Sequence, residues 1–297
     1  MAPLYPSAAI IATTLGLHGY RKGSLSLSGA VAAFLVGYGH MANPVKVFGT
    51  TMIGMYLIGS RATKVKVDVK AKLEEGPDPL KPSGNRNWGQ VLSSSLPGLI
   101  AALLYRFGPA ASLDKRNVVL ALHPLSRPLI YTSLGLNATI LADTLASELG
   151  ILSTSPPIYL PTLRPCPPGT NGGISLLGLG TSILGGGLIG LVMVCDLLIE
   201  SGGVGDRGYA WVAELLGMGM GLGLAGSLLD SILGAFFQPT YYSTSTKRVL
   251  TDTSSAPHAI SPDVKRIGYG IDVLSNSGVN FICGCALAGG GYWYGSL

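Results

Sequence analysis

Eight apolar stretches, at positions 4–17, 25–38, 45–58, 91–105, 128–149, 174–199, 209–237 and 271–294, take up most of this chain. No water-soluble domain has room to bury so many such segments, and the composition agrees. Only 12% of the 297 residues are charged and 43 are glycine, whereas an average soluble domain is roughly 25% charged and 7% glycine. Disorder needs low hydrophobicity with high charge, and collagen needs a strict three-residue glycine period. Neither pattern is present. Unbroken apolar runs with 7% aromatic residues favour helices over the alternating strands of an outer-membrane barrel.

The expected fold is therefore all-α, a polytopic membrane helix bundle of seven or eight spans, with residues 1–297 forming a single integral-membrane domain. The first three stretches are short against the roughly 20 residues that cross a hydrocarbon core, so tilted or re-entrant pieces are expected there.

Net charge +5 would suggest nucleic acid in a soluble protein. In a membrane protein it reports loops enriched in Lys and Arg on the cytoplasmic side. With eight spans, fourteen of the twenty Lys and Arg fall in alternate loops on one face. That face is expected to be cytoplasmic, including loops 61–90 and 238–270. Loop 61–90 alternates bases and acids like a basic surface helix, and loop 238–270 is rich in Ser and Thr, as flexible loops are. The four cysteines form no disulfide or zinc pattern. No cleavable leader is expected, and an endomembrane such as the endoplasmic reticulum is the expected location.

Acids inside apolar segments cost roughly 2.5 to 3.5 kcal/mol on insertion scales and usually mark function. Asp196, Glu200 and Glu214 read as ordinary helix-end charges. Asp143, Glu148, Asp230 and Asp272 gather near the cytoplasmic ends of three segments. Asp143 and Asp230 each lie about 10 Å inside their segment ends at helical rise. Ser147 and Ser227 lie one turn away, and Asn276 and Asn280 follow Asp272 along one helical face.

Carboxylates of this kind suit magnesium, which takes one or two of them together with substrate phosphates; Asp143, Asp230 and Glu148 are the candidate ligands. Between the fifth and sixth stretches, Gly169, Thr170, Asn171, Gly172 and Gly173 form a loop expected to enter the sixth helix and offer backbone N–H groups to phosphate.

All but Asp272 of these gathered polar residues lie in ordered blocks, five in all: Gly84-Asn85-Arg86-Asn87-Trp88-Gly89-Gln90-Val91, Ala142-Asp143-Thr144-Leu145-Ala146-Ser147-Glu148-Leu149-Gly150, Pro168-Gly169-Thr170-Asn171-Gly172-Gly173, Gly226-Ser227-Leu228-Leu229-Asp230-Ser231-Ile232-Leu233-Gly234-Ala235 and Asn276-Ser277-Gly278-Val279-Asn280. Through them the chain resembles the integral-membrane domain-of-unknown-function 92 family, which includes animal transmembrane protein 19 and a plant phytyl-phosphate kinase. A looser likeness links it to CDP-diacylglycerol synthases and dolichol kinases.

The resemblance implies a CTP-dependent polyprenyl-phosphate kinase. Such an enzyme would convert phytyl, farnesyl or geranylgeranyl phosphate to its diphosphate using CTP or another NTP and Mg2+, at a cytoplasmic-side active site. Asp143 and Asp230 would hold the metal, Arg86 would pair with a phosphate, and the loop would cradle the nucleotide. Ser147, Ser227, Asn276 and Asn280 would complete the polar lining. An ion-coupled transporter is the alternative, since buried acids and glycine-broken helices also suit carriers.

Overall fold

A computed structural model describes residues 4–75, 85–114, 119–204, 208–250 and 262–297; parts of the loops 61–90 and 238–270 lie outside these described residues. The helices are α1 (Pro6–Arg21), α2 (Leu27–Met41), α3 (Val47–Ala62), the single turn α4 (Val67–Lys70), α5 (Trp88–Ser93), α6 (Leu96–Phe107), α7 (Arg127–Gly150), α8 (Leu176–Ser201), α9 (Ala210–Phe237) and α10 (Asn276–Ser296). Every apolar stretch is helical. The fourth is broken at Ser94 and Ser95, where Pro97 opens α6 with no amide hydrogen to give. Among the described residues, α7, α8 and α9 are long and apolar enough to cross a membrane, and α2 and α6 are shorter apolar helices.

Helix α7 is the axis of the bundle, packed by α3, α6, α8, α9 and α10. Every residue of it from Ser133 to Ala142 is buried, the polar Ser133, Asn137 and Thr139 included, as befits a helix packed on all sides. Backbones meet closely around it. A methyl group on Gly135 would come 2.1 Å from the Leu287 carbonyl oxygen of α10, and one on Gly186 of α8 would come 2.0 Å from the Gly219 carbonyl oxygen of α9.

One end of the bundle is fastened by Arg127, which donates to Glu214 of α9 at 2.7 Å and to the carbonyls of Tyr294 and Gly295. A cation there complements the C-terminal dipole of α10. The opposite end, where α7 and α9 finish and α10 begins, carries Asp143 and Asp230.

Two small sheets cap that end, so the fold is not purely all-α. Strands β2 (Ile158–Tyr159), β3 (Arg164–Pro165) and β4 (Gly173–Ile174) form an antiparallel sheet in the order β3-β2-β4. Strands β1 (Glu74–Glu75), β5 (Thr240–Ser243), β6 (Arg248–Leu250) and β7 (Val264–Ile267) form the other, in the order β1-β6-β5-β7. The described parts of loop 238–270 thus include three strands, drawn together by β-prone Thr240, Tyr241, Tyr242 and Val264. In loop 61–90 the expected basic surface helix shrinks to α4, followed by β1 beside β6.

Tyr159 joins the sheets to the bundle. Its hydroxyl donates to the Ala235 carbonyl of α9 at 3.2 Å and accepts from the Tyr269 N–H at 2.7 Å. Lys70 acts as a second fastening. It donates to the Thr63 carbonyl at the end of α3 and to Glu148 at the end of α7, at 2.8 and 2.5 Å. Glu74 is drawn beneath the loop, where a methyl on Gly169 would come 2.6 Å from its Oε1. Burial pushes the Glu74 carboxyl above its usual range, with repulsion from Glu148 adding to it and Lys70 opposing.

Two predictions follow from packing and charge. Gly186→Leu drives a side chain into the Gly219 carbonyl and should abolish monodisperse protein or lower the melting temperature steeply. Gly221→Ala, where a methyl meets nothing within 4 Å, should leave it unchanged or raise stability by up to about 1 kcal/mol. Thermal unfolding in detergent separates the two. Because Glu74 is ionised at a cost in the folded state, Glu74→Gln should stabilise the protein at neutral pH. The gain should vanish as pH falls through the ordinary glutamate range near about 4.3. A Glu74→Gln protein that melts lower at pH 7 would contradict this.

Candidate functional site

The site is built where α7 and α9 touch. One turn before the two aspartates, Gly226 of α9 lies against the Thr139 side chain and Gly223 against Ala142. That contact brings the Asp143 and Asp230 carboxyl groups within hydrogen-bond reach of each other. Ser227, one turn from Asp230, is buried and accepts a 2.9 Å hydrogen bond from Ser182 of α8, which locks the third helix into the same level.

Two carboxylates this close repel unless a cation lies between them, either a shared proton or a metal ion. Asp230 Oδ2 is shielded from solvent and takes no hydrogen bond from the described residues. An orphaned oxygen of this kind fits a hard cation. Among the described residues no cluster of three or more metal-binding side chains forms, so a cation bound here would take these two carboxylates and would draw any further ligands from water or substrate. Magnesium is commonly held that way.

Helix α10 forms the remaining wall. It runs antiparallel to α7, with Gly291 against Tyr131 and Gly135 against Leu287. That register sets Asn280 at the level of Asp143, and Cys283 lies close enough to sense both aspartate charges. Asn276 stands exposed at the first turn of α10, which is capped by Ser275.

The glycine loop does not run into α8. Gly173 lies in β4, and α8 starts at Leu176 under a Ser175 cap that accepts from the Gly178 N–H and donates to the Gly150 carbonyl. The helix N-terminus is thereby closed onto the end of α7. Within the loop, the Thr170 and Gly173 N–H groups bond to the Pro167 and Thr170 carbonyls, and the Asn171 N–H bonds to Thr240 Oγ1. The Asn171 side chain donates to the Pro239 carbonyl at 3.0 Å. Gly172, at φ +82°, presses on Ala235 so closely that a methyl would come within 2.3 Å of it. The loop therefore grips the end of α9 just beyond Asp230, with Gly172 packed on Ala235 and Gly169 against Glu74.

Other expected residues stand apart from the pair. Glu148 is ion-paired to Lys70. The Ser147 hydroxyl is exposed and bonds back to the Asp143 and Thr144 carbonyls. Arg86 joins the α1–α2 turn through its backbone, exchanging hydrogen bonds with Ser24 and Ser26, while its side chain is exposed. Asp272 is exposed before α10. Sequence reading missed Ser182, Cys283, Lys70 and Glu74. Cys283 had a signal, since it lies three residues beyond Asn280 on the same helical face. The others became visible only through contacts distant in sequence.

The chain is similar to Protein PGR of Arabidopsis thaliana, 31% identical over 275 residues that cover 93% of this chain and 90% of that protein. It also resembles the uncharacterized membrane protein MJ0933 of Methanocaldococcus jannaschii, 34% identical over 103 residues, or 34% of this chain and 37% of the relative. No solved structure matches it. Residues 10–288 match the family described as integral membrane protein DUF92, and the chain belongs to that family.

Proposed function

We propose that this protein is a membrane phosphotransferase, an isoprenyl-phosphate kinase that uses CTP or another NTP with Mg2+ in an endomembrane such as the endoplasmic reticulum. The observation that carries the reading is the contact between Asp143 and Asp230, with a buried carboxylate oxygen left without a donor. Acids are placed in this way to hold a cation, and phosphoryl transfer asks a protein chiefly for charge neutralisation and positioning.

Asp143 and Asp230 would hold magnesium, which when bound supplies charge neutralisation on the triphosphate. The Ser182–Ser227 bond fixes the α8–α9 spacing, so that the two carboxylates keep their mutual position. Asn280 and Cys283 line the α10 side. The loop 169–173 holds α9 in place through Asn171 and Gly172. A phosphate acceptor is already a nucleophile, so no strong base is required of the protein. In this reading eight helical segments traverse the bilayer, α5 and α6 counting as one. The Lys- and Arg-rich loops support a cytosolic aspartate end.

Protein purified in detergent and given phytyl, farnesyl or geranylgeranyl monophosphate with magnesium and each labelled nucleotide should form the diphosphate, with CTP the favoured donor. Asp143→Asn and Asp230→Asn should each lower kcat by at least about a hundredfold, while Ser147→Ala stays near wild type. Absence of product from every pair would sink the kinase reading. Cation flux in proteoliposomes that depends on the same aspartates would then support a transporter. A glycosylation acceptor inserted between β2 and β3 should remain unmodified in cells. Its modification would reverse the orientation.

A further inference from the structure

The last carbonyls of a helix have no partner within it, and the end of α9 finds its donors in two remote places. The chain leading into α10 crosses it, so that the Ile271 N–H donates to the Phe236 carbonyl at 2.9 Å, and the Val273 and Leu274 N–H groups donate to the Phe237 carbonyl at 3.3 and 3.0 Å. The preceding carbonyl, that of Ala235, is satisfied by a side chain, the Tyr159 hydroxyl, 76 residues away in sequence. That hydroxyl also accepts from the Tyr269 N–H. One phenol oxygen therefore holds both the end of α9 and the segment that enters α10.

The surroundings are shaped to this hydroxyl. Tyr159 is 6% exposed, and its ring lies 6.0 Å from that of Tyr269. Gly268 sits at φ +76°, which glycine adopts freely, and a methyl there would come 3.0 Å from the hydroxyl oxygen. Phenylalanine in place of Tyr159 would fill the same space and supply neither bond. The two helices that Tyr159 joins both carry site residues. Asp230 lies about 7.5 Å along α9 from Ala235 at helical rise, and Asn280 and Cys283 belong to α10. On its inner side Asp230 is held by the contact of Gly226 with Thr139 and by the Ser182–Ser227 bond. On its outer side the holds are Gly172 against Ala235 and the Tyr159 hydroxyl, and of these two Tyr159 is the one that also reaches the entry of α10.

We propose that Tyr159 is a positioning residue for the aspartate site: its hydroxyl fixes the end of α9 against the entry of α10, and so sets how Asp230 faces Asp143 and the wall formed by Asn280 and Cys283. The use of that geometry, holding a divalent cation, rests on the reading of the pair given above. Two carboxylates push apart until a cation arrives, and the holds on either side of Asp230 resist that push. A hydroxyl outside the site thereby acts on cation affinity without touching the cation, as the outer partners of metal-binding groups do.

The test uses the full-length protein in detergent with two readouts. Binding of Mn2+, followed by loss of the free ion's paramagnetic signal, reports the carboxylate pair. Alkylation of the buried Cys283 by N-ethylmaleimide, located by peptide mass spectrometry, reports the α10 wall of the site without any metal. Tyr159→Phe should weaken Mn2+ binding by about tenfold or more and speed Cys283 alkylation severalfold. Gly268→Ala, which displaces the hydroxyl but keeps the tyrosine, should shift both in the same direction. Glu214→Gln breaks the ion pair with Arg127 at the far end of α9. It should lower the melting temperature yet leave Mn2+ affinity within about twofold and Cys283 protected. Wild-type affinity and protection in Tyr159→Phe, or losses in Glu214→Gln that match those of Tyr159→Phe, overturn the proposal and leave Tyr159 a structural tie. Faster Cys283 alkylation in Tyr159→Phe, where the wild type binds no Mn2+, upholds the positioning role and rejects the cation reading.

Discussion

Apolar side chains gain little by leaving lipid for protein, so this bundle depends on how closely backbones can approach one another. The approach is closest around α7, where glycines of α8, α9 and α10 remove the side chains that would hold the helices apart. Burial of every α7 residue from Ser133 to Ala142, and so of all its sides, follows from that closeness. So does the meeting of Asp143 with Asp230, because one turn earlier Gly226 has already brought α9 against Thr139. The same contacts that hold the fold together thus create its most unfavourable electrostatic arrangement.

The polar cap keeps that arrangement in register. Asn171 and Gly172 clamp the end of α9, Tyr159 ties the Ala235 carbonyl to the chain entering α10, and Lys70 connects α3 to the end of α7. Four segments remote in sequence therefore converge on the helix ends just beyond the aspartates. A carboxylate pair needs such support, since in a loosely held bundle the two charges would separate toward solvent.

The helices were legible because apolar runs of fourteen residues or more have few other uses, and each run is indeed helical. The depth of Asp143 and Asp230 was legible too, since helical rise puts both at a similar distance from their segment ends. The break at Ser94 and Ser95 had a signal in Pro97, which opens a helix far more readily than it continues one, but the apolar run on both sides of it concealed the stop. The sheets were hidden for another reason. Strands as short as Ile158–Tyr159 have no period to read, and β1 is defined only by pairing with β6 far along the chain. The loop 169–173 shows the same limit at the level of chemistry. Its glycines suggested an array of open N–H groups, but Thr240 and Pro239 decide how many polar groups remain open.

The two ends of the bundle treat charge in opposite ways. At one, Glu214 meets Arg127, and the guanidinium also satisfies the last carbonyls of α10, so the acid there is fully explained by structure. At the other, the cation nearest in sequence pattern, Lys70, is spent on Glu148 and on the end of α3. The aspartates face each other instead. If their role were only to fasten helices, an asparagine in either position would do so at lower cost, as the Ser182–Ser227 pair does with neutral groups one turn away. A paired acid where a neutral hydrogen bond would suffice supports the cation site proposed above, since among the described residues the ion pairs of Lys70 and Arg127 are made with Glu148 and Glu214 and not with the aspartates.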